Sequence, residues 1–197
     1  LHGFADSWHS FARILPQLSE SMHAFALTQR GHGDSSRPVA GYSVRELSAD
    51  LEAFMDELCL EAAVIVGHSM GSAVAQRFAI DHGERTLGLV LVGASVGIQG
   101  GTAAREFWDT TLRNLADPVD RGLVRGMVES MLVQPVPPEF VEMLIQESLK
   151  VPARVWHAVF ESRWRAEGDF SGQLGNIKPP TLVLWGDQDA RYPRSIQ

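Results

Sequence analysis

The feature that most constrains this chain is a continuous apolar run, Ala62-Ala63-Val64-Ile65-Val66. It passes without a spacer into Gly67-His68-Ser69-Met70-Gly71 and then into a helical pattern over 70–82, stopped by Gly83. A run without polar alternation is the signature of a parallel strand covered on both faces. The same texture returns at residues 86–93 and 180–186. Ahead of the first run, Ser43 and Glu46 have capping-box spacing, and Leu47, Leu51, Phe54 and Leu58 form one apolar stripe behind them. Parallel strands cannot be joined by hairpins, so strand, helix and strand in alternation predict an α/β architecture: a mostly parallel sheet flanked by helices.

Two further segments and a block complete the reading. Residues 7–18 place Trp8, Phe11, Leu15 and Leu18 at helical spacing, with Asp6 or Ser7 as N-cap. Residues 23–28 read as a short buried strand running into the loop Arg30-Gly31-His32-Gly33. Cys59, between helix and strand, reads as a buried structural thiol. Beyond Gly97 four helical patterns follow, at 103–116, 121–133, 138–149 and 153–166, separated by prolines and without a strand between them. This predicts an all-helical block, residues 98–172, inserted between a first core part, 1–97, and a second, 173–197.

Composition narrows the partners. Seventeen Lys+Arg against 24 Asp+Glu give a formal charge of −7 with no basic run, which argues against nucleic acid. No stretch approaches the roughly 20 apolar residues of a membrane span. One cysteine excludes an internal disulfide and a cysteine-built zinc site, and leans towards a cytoplasmic location. Neither H-E-x-x-H nor a strand-to-helix G-x-G-x-x-G is present, so no metal or organic cofactor is expected. His32 and Asp34 have the chemistry to hold an ion, but a hydrogen-bonded loop is the commoner use of such a pair.

Gly67-His68-Ser69-Met70-Gly71 is a G-x-S-x-G placed between a strand and a helix. A serine on so sharp a turn takes a strained backbone conformation, tolerated only with minimal side chains two residues to either side. The turn lifts the Ser69 hydroxyl above the sheet edge, beside the free N–H groups of a helix start. His2-Gly3-Phe4 lies one strand and two helices upstream. There Gly3 permits close approach, the Phe4 N–H complements that of Met70 as a second oxyanion donor, and His2 serves as a hydrogen-bonding support rather than a base. Gly186-Asp187-Gln188-Asp189 follows the last strand, and an acid there is placed to orient an imidazole beside Ser69. Trp8, Trp108, Trp156 and Trp164 either line an apolar pocket under the cap or simply pack the core.

Taken in order, the His2-Gly3-Phe4 loop, the Arg30–Ser35 loop, the Ser69 turn and the Asp189 segment resemble the α/β-hydrolase superfamily, in its serine-nucleophile branch with a helical cap. The resemblance implies an incomplete α/β-hydrolase fold, with Asp189 rather than Asp187 as the acid and 98–172 as the cap. It also implies a histidine after the acid, yet all seven histidines precede Asp189. The expectation is therefore a piece of a longer protein, trimmed at both ends, that neither folds alone nor hydrolyses. His32, His68 and His157 are weak surrogates, since the base must also reach Asp189. His157 and Glu161 read as an i,i+4 surface pair.

The resemblance implies a serine hydrolase that cleaves an ester, lactone or carbon–carbon bond of a small carbonyl substrate through an acyl-enzyme, closest to capped carboxylesterases, enol-lactonases and carbon–carbon bond hydrolases. A small-molecule receptor built on the same fold, or a perhydrolase or acyltransferase, is the alternative.

Overall fold

In the computed structural model, residues 1–94, 102–162 and 169–189 are described. Helix α1 (Val44–Glu57) leads to strand β1 (Ala63–His68), helix α2 (Met70–Asp81) and strand β2 (Thr86–Val92). Four helices follow: α3 (Thr102–Thr110), α4 (Arg121–Glu129), α5 (Pro138–Leu149) and α6 (Ala153–Ser162). Strand β3 (Thr181–Leu184) closes the series. The sheet is parallel in the order β1-β2-β3, with Val66 opposite Val90 and Val90 opposite Leu182. The helical insertion thus falls between two adjacent strands.

The capping box forms as read. The Ser43 side chain accepts from the Glu46 N–H, and the Glu46 carboxylate accepts from the Ser43 N–H at 2.9 Å. Two apolar clusters hold the layers. One packs Leu51 and Met55 of α1 and Phe78 of α2 against Ile65, Leu89 and Leu91 of the sheet. The other joins Met70, Ala73 and Val74 of α2 to Val124, Ile145, Val155 and Trp156 of the inserted helices. The insertion therefore shares its core with the helix capped by Ser69, so inserted helices and turn belong to one buried cluster. Arg154 reinforces the join, donating to the backbone carbonyls of Arg37 and Pro38, both at 2.7 Å.

Several expectations are corrected. Residues 7–18 form two short 3₁₀ turns, Trp8–Phe11 and Leu15–Gln17, not an α-helix. Pro16 has no N–H to donate in an α-helical ladder, and Ser7 caps the first turn only. Residues 23–28 are irregular and carry exposed Met22 and Phe25 beside them. A strand persists only where a neighbour takes its backbone bonds, and among the described residues none pairs with this segment. Among the described residues, β1 and β2 are covered on one face only, and β3 is exposed on both, Val183 included. Val64, Val66, Leu182 and Leu184 of the opposite face stay exposed, because no described helix packs there. The pattern at 103–116 divides into α3 and a 3₁₀ turn, Leu112–Asn114, after the Thr110 hydroxyl bonds back to the Glu106 carbonyl at 2.7 Å. Residues 121–133 shorten to α4, and α6 is described only to Ser162 of the expected 153–166.

Cys59 is exposed, not buried. It follows the α1 C-cap with φ of 53°, a left-handed turn that swings its side chain away from the core. One equivalent of DTNB should therefore label the native protein at the rate of a free thiol; protection until denaturant is added would contradict this placement.

Candidate active site

The turn at Ser69 has the backbone its motif demands. Ser69 takes φ 50° and ψ −115°, a left-handed conformation that side chains rarely adopt, with an order-of-magnitude cost of about 1–3 kcal/mol. Three hydrogen bonds hold it there. The Ser69 N–H donates to the Val92 carbonyl at 3.0 Å, tying the turn to the end of β2. Its own carbonyl accepts from the Ser72 N–H at 2.9 Å and the Ser72 hydroxyl at 2.6 Å. Both flanking glycines are sterically required. A Cβ on Gly67 would lie 2.7 Å from Cα of Ser72, and one on Gly71 would lie 2.7 Å from the His2 carbonyl oxygen.

The second loop sits directly on this turn. The His68 N–H donates to the Leu1 carbonyl at 3.0 Å, continuing the sheet-edge contact as far as the His2-Gly3-Phe4 segment. A Cβ on Gly3 would meet Cβ of Ser69 at 3.5 Å and Nδ1 of His68 at 3.1 Å, so about one methyl group's width separates the loop from the hydroxyl-bearing turn. Beyond it, the Phe4 ring packs edge-on against Trp156 at 5.0 Å and near Phe160 at 6.0 Å. Phe160 in turn stacks with Trp108 and meets Phe107. An aromatic wall from α3 and α6 therefore stands over the loop.

Asp189 lies beside the residue that follows β2. Its N–H closes a turn onto the Gly186 carbonyl at 3.0 Å, and its Oδ2 would be 3.6 Å from a Cβ on Gly93. A cavity of about 300 Å³ opens here, lined by His68, Gly93, Leu184, Trp185 and Asp189 among others. Of the tryptophans, Trp156 is a core residue whose Nε1–H donates to the Val151 carbonyl, and Trp108 belongs to the aromatic wall. Trp8 is exposed, its ring lying against His9 at 4.1 Å. Trp164 lies outside the described residues. Sequence periodicity gave no sign of Phe107 and Phe160, since any apolar residue satisfies a helix stripe.

The histidines divide clearly. His32 is fully buried, its Nδ1 bonded to the Arg30 carbonyl at 2.9 Å and its ring edge-on to His2 at 5.0 Å. His157 bonds through Nε2 to the Leu112 carbonyl at 2.6 Å, so its ring is engaged by the backbone of the inserted helices rather than in the expected ion pair with Glu161. His68 shares the cavity with Asp189. Burial lowers its pKa, and the nearby Asp189 carboxylate opposes that shift. Among the described residues no group of three or more His, Cys, Asp or Glu side chains is arranged to hold a metal ion. No described helix is long and apolar enough to cross a membrane.

Two buried histidines and one half-buried carboxyl near the loop titrate in shifted ranges. Burial lowers His32 to about 4, and burial with the neighbouring His32 charge lowers His2 well below 6.5. Burial raises Asp6 to about 6, although the Ser7 N–H bonds its Oδ1 at 2.8 Å. The two kinds of shift act in opposite directions. Between the depressed folded values and the unfolded value of 6.5, the unfolded state binds more protons at the histidines, so stability falls as pH drops. Asp6 binds its proton more tightly when folded, so its contribution is present below the unfolded 3.8 and is lost as pH rises through about 6. Denaturant titrations should give lower stability at pH 5 than at pH 7. Asp6→Asn should widen that gap by about 1 kcal/mol; a narrower gap in the variant would contradict the assignment.

Comparison with known proteins agrees with this geometry. A family profile described as the alpha/beta hydrolase fold matches residues 1–121. The chain is 28% identical over 212 residues to the dihydrolipoyllysine-residue acetyltransferase component of the acetoin cleaving system of Cupriavidus necator, covering 98% of this chain and 52% of that protein. It is 39% identical over 103 residues to epoxide hydrolase B of Mycobacterium tuberculosis, covering 51% and 28% respectively. Among solved structures, a hydrolase from Pseudomonas aeruginosa superposes with a TM-score of 0.83 at 26% identity, over 99% of this chain and 73% of that one. An esterase from Exiguobacterium antarcticum gives 0.85 at 19% identity, over 100% and 75%, a likeness of fold. The chain spans about half the length of the first of these curated relatives. With its strained serine turn at the end of a parallel strand and the matching profile over most of its first two-thirds, the chain belongs to the α/β-hydrolase family.

Proposed function

We propose that the protein is a serine hydrolase acting on the carbonyl carbon of a small acyl substrate. The observation that carries this reading is the approach of two backbone segments: Ser69 on its strained turn, and the His2-Gly3-Phe4 loop tied beside it through the Leu1 carbonyl, with Gly3 leaving only a methyl group's width to the Ser69 Cβ. Ser69 Oγ attacks the carbonyl carbon as its proton passes to an imidazole. Negative charge then collects on the substrate oxygen, where the N–H groups of Phe4 and Met70 receive it. Collapse expels the leaving group, which takes the proton from the imidazolium, and the acyl group remains on Ser69. Water, deprotonated by the same base, releases the acid and restores the hydroxyl. We assign the orientation of that base to Asp189 and its place to the cavity beside Asp189, with the imidazole supplied from outside these 197 residues. Support comes from the cavity's volume and from the acid at its wall.

The relatives' names span several chemistries, and the nucleophile favours one of them. Opening an epoxide or displacing a halide happens at a saturated carbon, where the charge develops on a departing atom rather than on a carbonyl oxygen. A hydroxyl nucleophile flanked by two amide donors suits addition to a carbonyl. The acyl-transfer name of the relative matched over 98% of the chain is consistent with that preference. The aromatic wall above Phe4 favours a neutral, apolar acyl or alcohol portion.

The test is steady-state hydrolysis of p-nitrophenyl acetate and butyrate by the whole protein. Ser69→Ala should reduce kcat to background, about 10³-fold or more. Asp189→Asn should cost at least about 100-fold while Asp187→Asn stays within about three-fold. Undiminished turnover in Ser69→Ala, or a larger loss at Asp187 than at Asp189, would reject these assignments.

A further inference from the structure

The most heavily bonded side chain in the loop is one that the chemistry above does not use. His2 is fully buried, and both ring nitrogens are engaged. Its Nε2 lies 3.0 Å from the Gln29 backbone nitrogen, which can only donate, so Nε2 is the acceptor and carries no proton. The proton therefore sits on Nδ1, which lies 2.8 Å from the Gly3 carbonyl oxygen and donates to it. The Gln29 side chain closes the arrangement from the other side, donating through Nε2 to the His2 carbonyl at 3.0 Å. That carbonyl also packs where Gly71 lacks a Cβ.

The Gly3 carbonyl and the Phe4 N–H belong to one peptide unit. This unit is trans, and in a trans peptide the C=O and N–H point in opposite directions within one plane. Fixing the oxygen fixes the hydrogen. We propose that His2 is a positioning residue for the reaction. Its Nδ1–H, by holding the Gly3 carbonyl, sets the direction of the Phe4 N–H, and the Gln29 N–H on Nε2 selects the tautomer that can do so. This rests on the reading of the Phe4 N–H as an oxyanion donor. Gly3 has no side chain of its own to hold that plane and the Phe4 ring is anchored only beyond it, so the orientation of the peptide depends on what its carbonyl bonds. Protonating His2 would set Nε2–H against the Gln29 N–H, two donors face to face. Burial and the His32 ring oppose the same event by holding the His2 pKa well below 6.5. The preferred tautomer therefore persists across the neutral range.

Two near-isosteric replacements separate the roles of the two nitrogens. Asparagine places an amide N–H₂ near the position of Nδ1, keeping a donor for Gly3 and leaving the Gln29 N–H without its acceptor. Glutamine places an amide oxygen near the position of Nε2, keeping the acceptor for Gln29 and losing the donor to Gly3. In the whole protein with p-nitrophenyl acetate, His2→Gln should lower kcat about 10- to 100-fold with KM within about two-fold, the pattern of a lost transition-state interaction. His2→Asn should recover at least about ten-fold of that loss, even though its melting temperature falls below that of His2→Gln. This crossing of kcat against melting temperature is the signature, because a purely structural histidine would make both quantities fall together. If kcat follows melting temperature in the two variants, or if His2→Gln matches the parent, the inference is overturned while Ser69-dependent turnover still stands. Should His2→Gln fail to fold, a loss of 100-fold or more in a folded His2→Asn overturns it equally. Parent turnover unaffected by Ser69→Ala would instead remove the acyl reading, and this inference with it.

Discussion

The structure turns on one strained residue held by its neighbours. Ser69 pays for its left-handed backbone through local geometry: a ladder bond from its N–H to Val92, two bonds from Ser72 to its carbonyl, and two flanking glycines that let β1, α2 and the His2 loop close around it. Strain of this kind survives only where the surroundings over-determine it. Here they do so from three directions in sequence: β2 beneath, α2 behind and residues 1–3 above. The bond to Val92 explains why the turn depends on the parallel sheet. β2 must run beside β1 in register, with His68 opposite Val92, for that carbonyl to be in place.

The inserted helices extend the same constraint. Met70, Ala73 and Val74 of α2 belong to the same buried cluster as Val124, Ile145 and Trp156, so the helix that presents the turn shares a core with the inserted helices. Trp156 then carries the contact onward to Phe4. A substitution in α6 can therefore reach the His2-Gly3-Phe4 loop through a single aromatic contact. Polar ties add direction: Lys150 pairs with Asp34 at 3.0 Å and Arg154 caps the carbonyls of Arg37 and Pro38. Exposed pairs of this sort contribute little stability, about 0–1 kcal/mol each, but they fix which loop each helix faces.

Legibility in the sequence follows the range of the forces involved. The Ser43–Glu46 capping box, α5 over 138–149 and the strand-to-helix turn at Ser69 were readable because each is decided within a few residues. Residues 7–18 misled because apolar spacing cannot register the missing amide of Pro16. Residues 23–28 misled because a strand depends on a neighbour in space. Cys59 misled for a related reason: a single left-handed residue after a helix reverses the side chain's direction without altering the hydrophobic pattern. At the site, the residue types pointed to Ser69, Asp189 and the glycine-bearing loop as candidates. The approach of Gly3 to Ser69, the cavity beside Asp189 and the two-sided bonding of His2 came only with the tertiary arrangement.

The central claim is that one hydroxyl faces two amide donors delivered by separate segments. A crystal structure of the whole protein reacted with an alkyl fluorophosphonate addresses it directly. The account predicts a phosphorus covalently attached to Ser69 Oγ, its phosphoryl oxygen within hydrogen-bonding distance of both the Phe4 and Met70 nitrogens. Attachment at another residue, or a phosphoryl oxygen turned away from those two nitrogens, would contradict it.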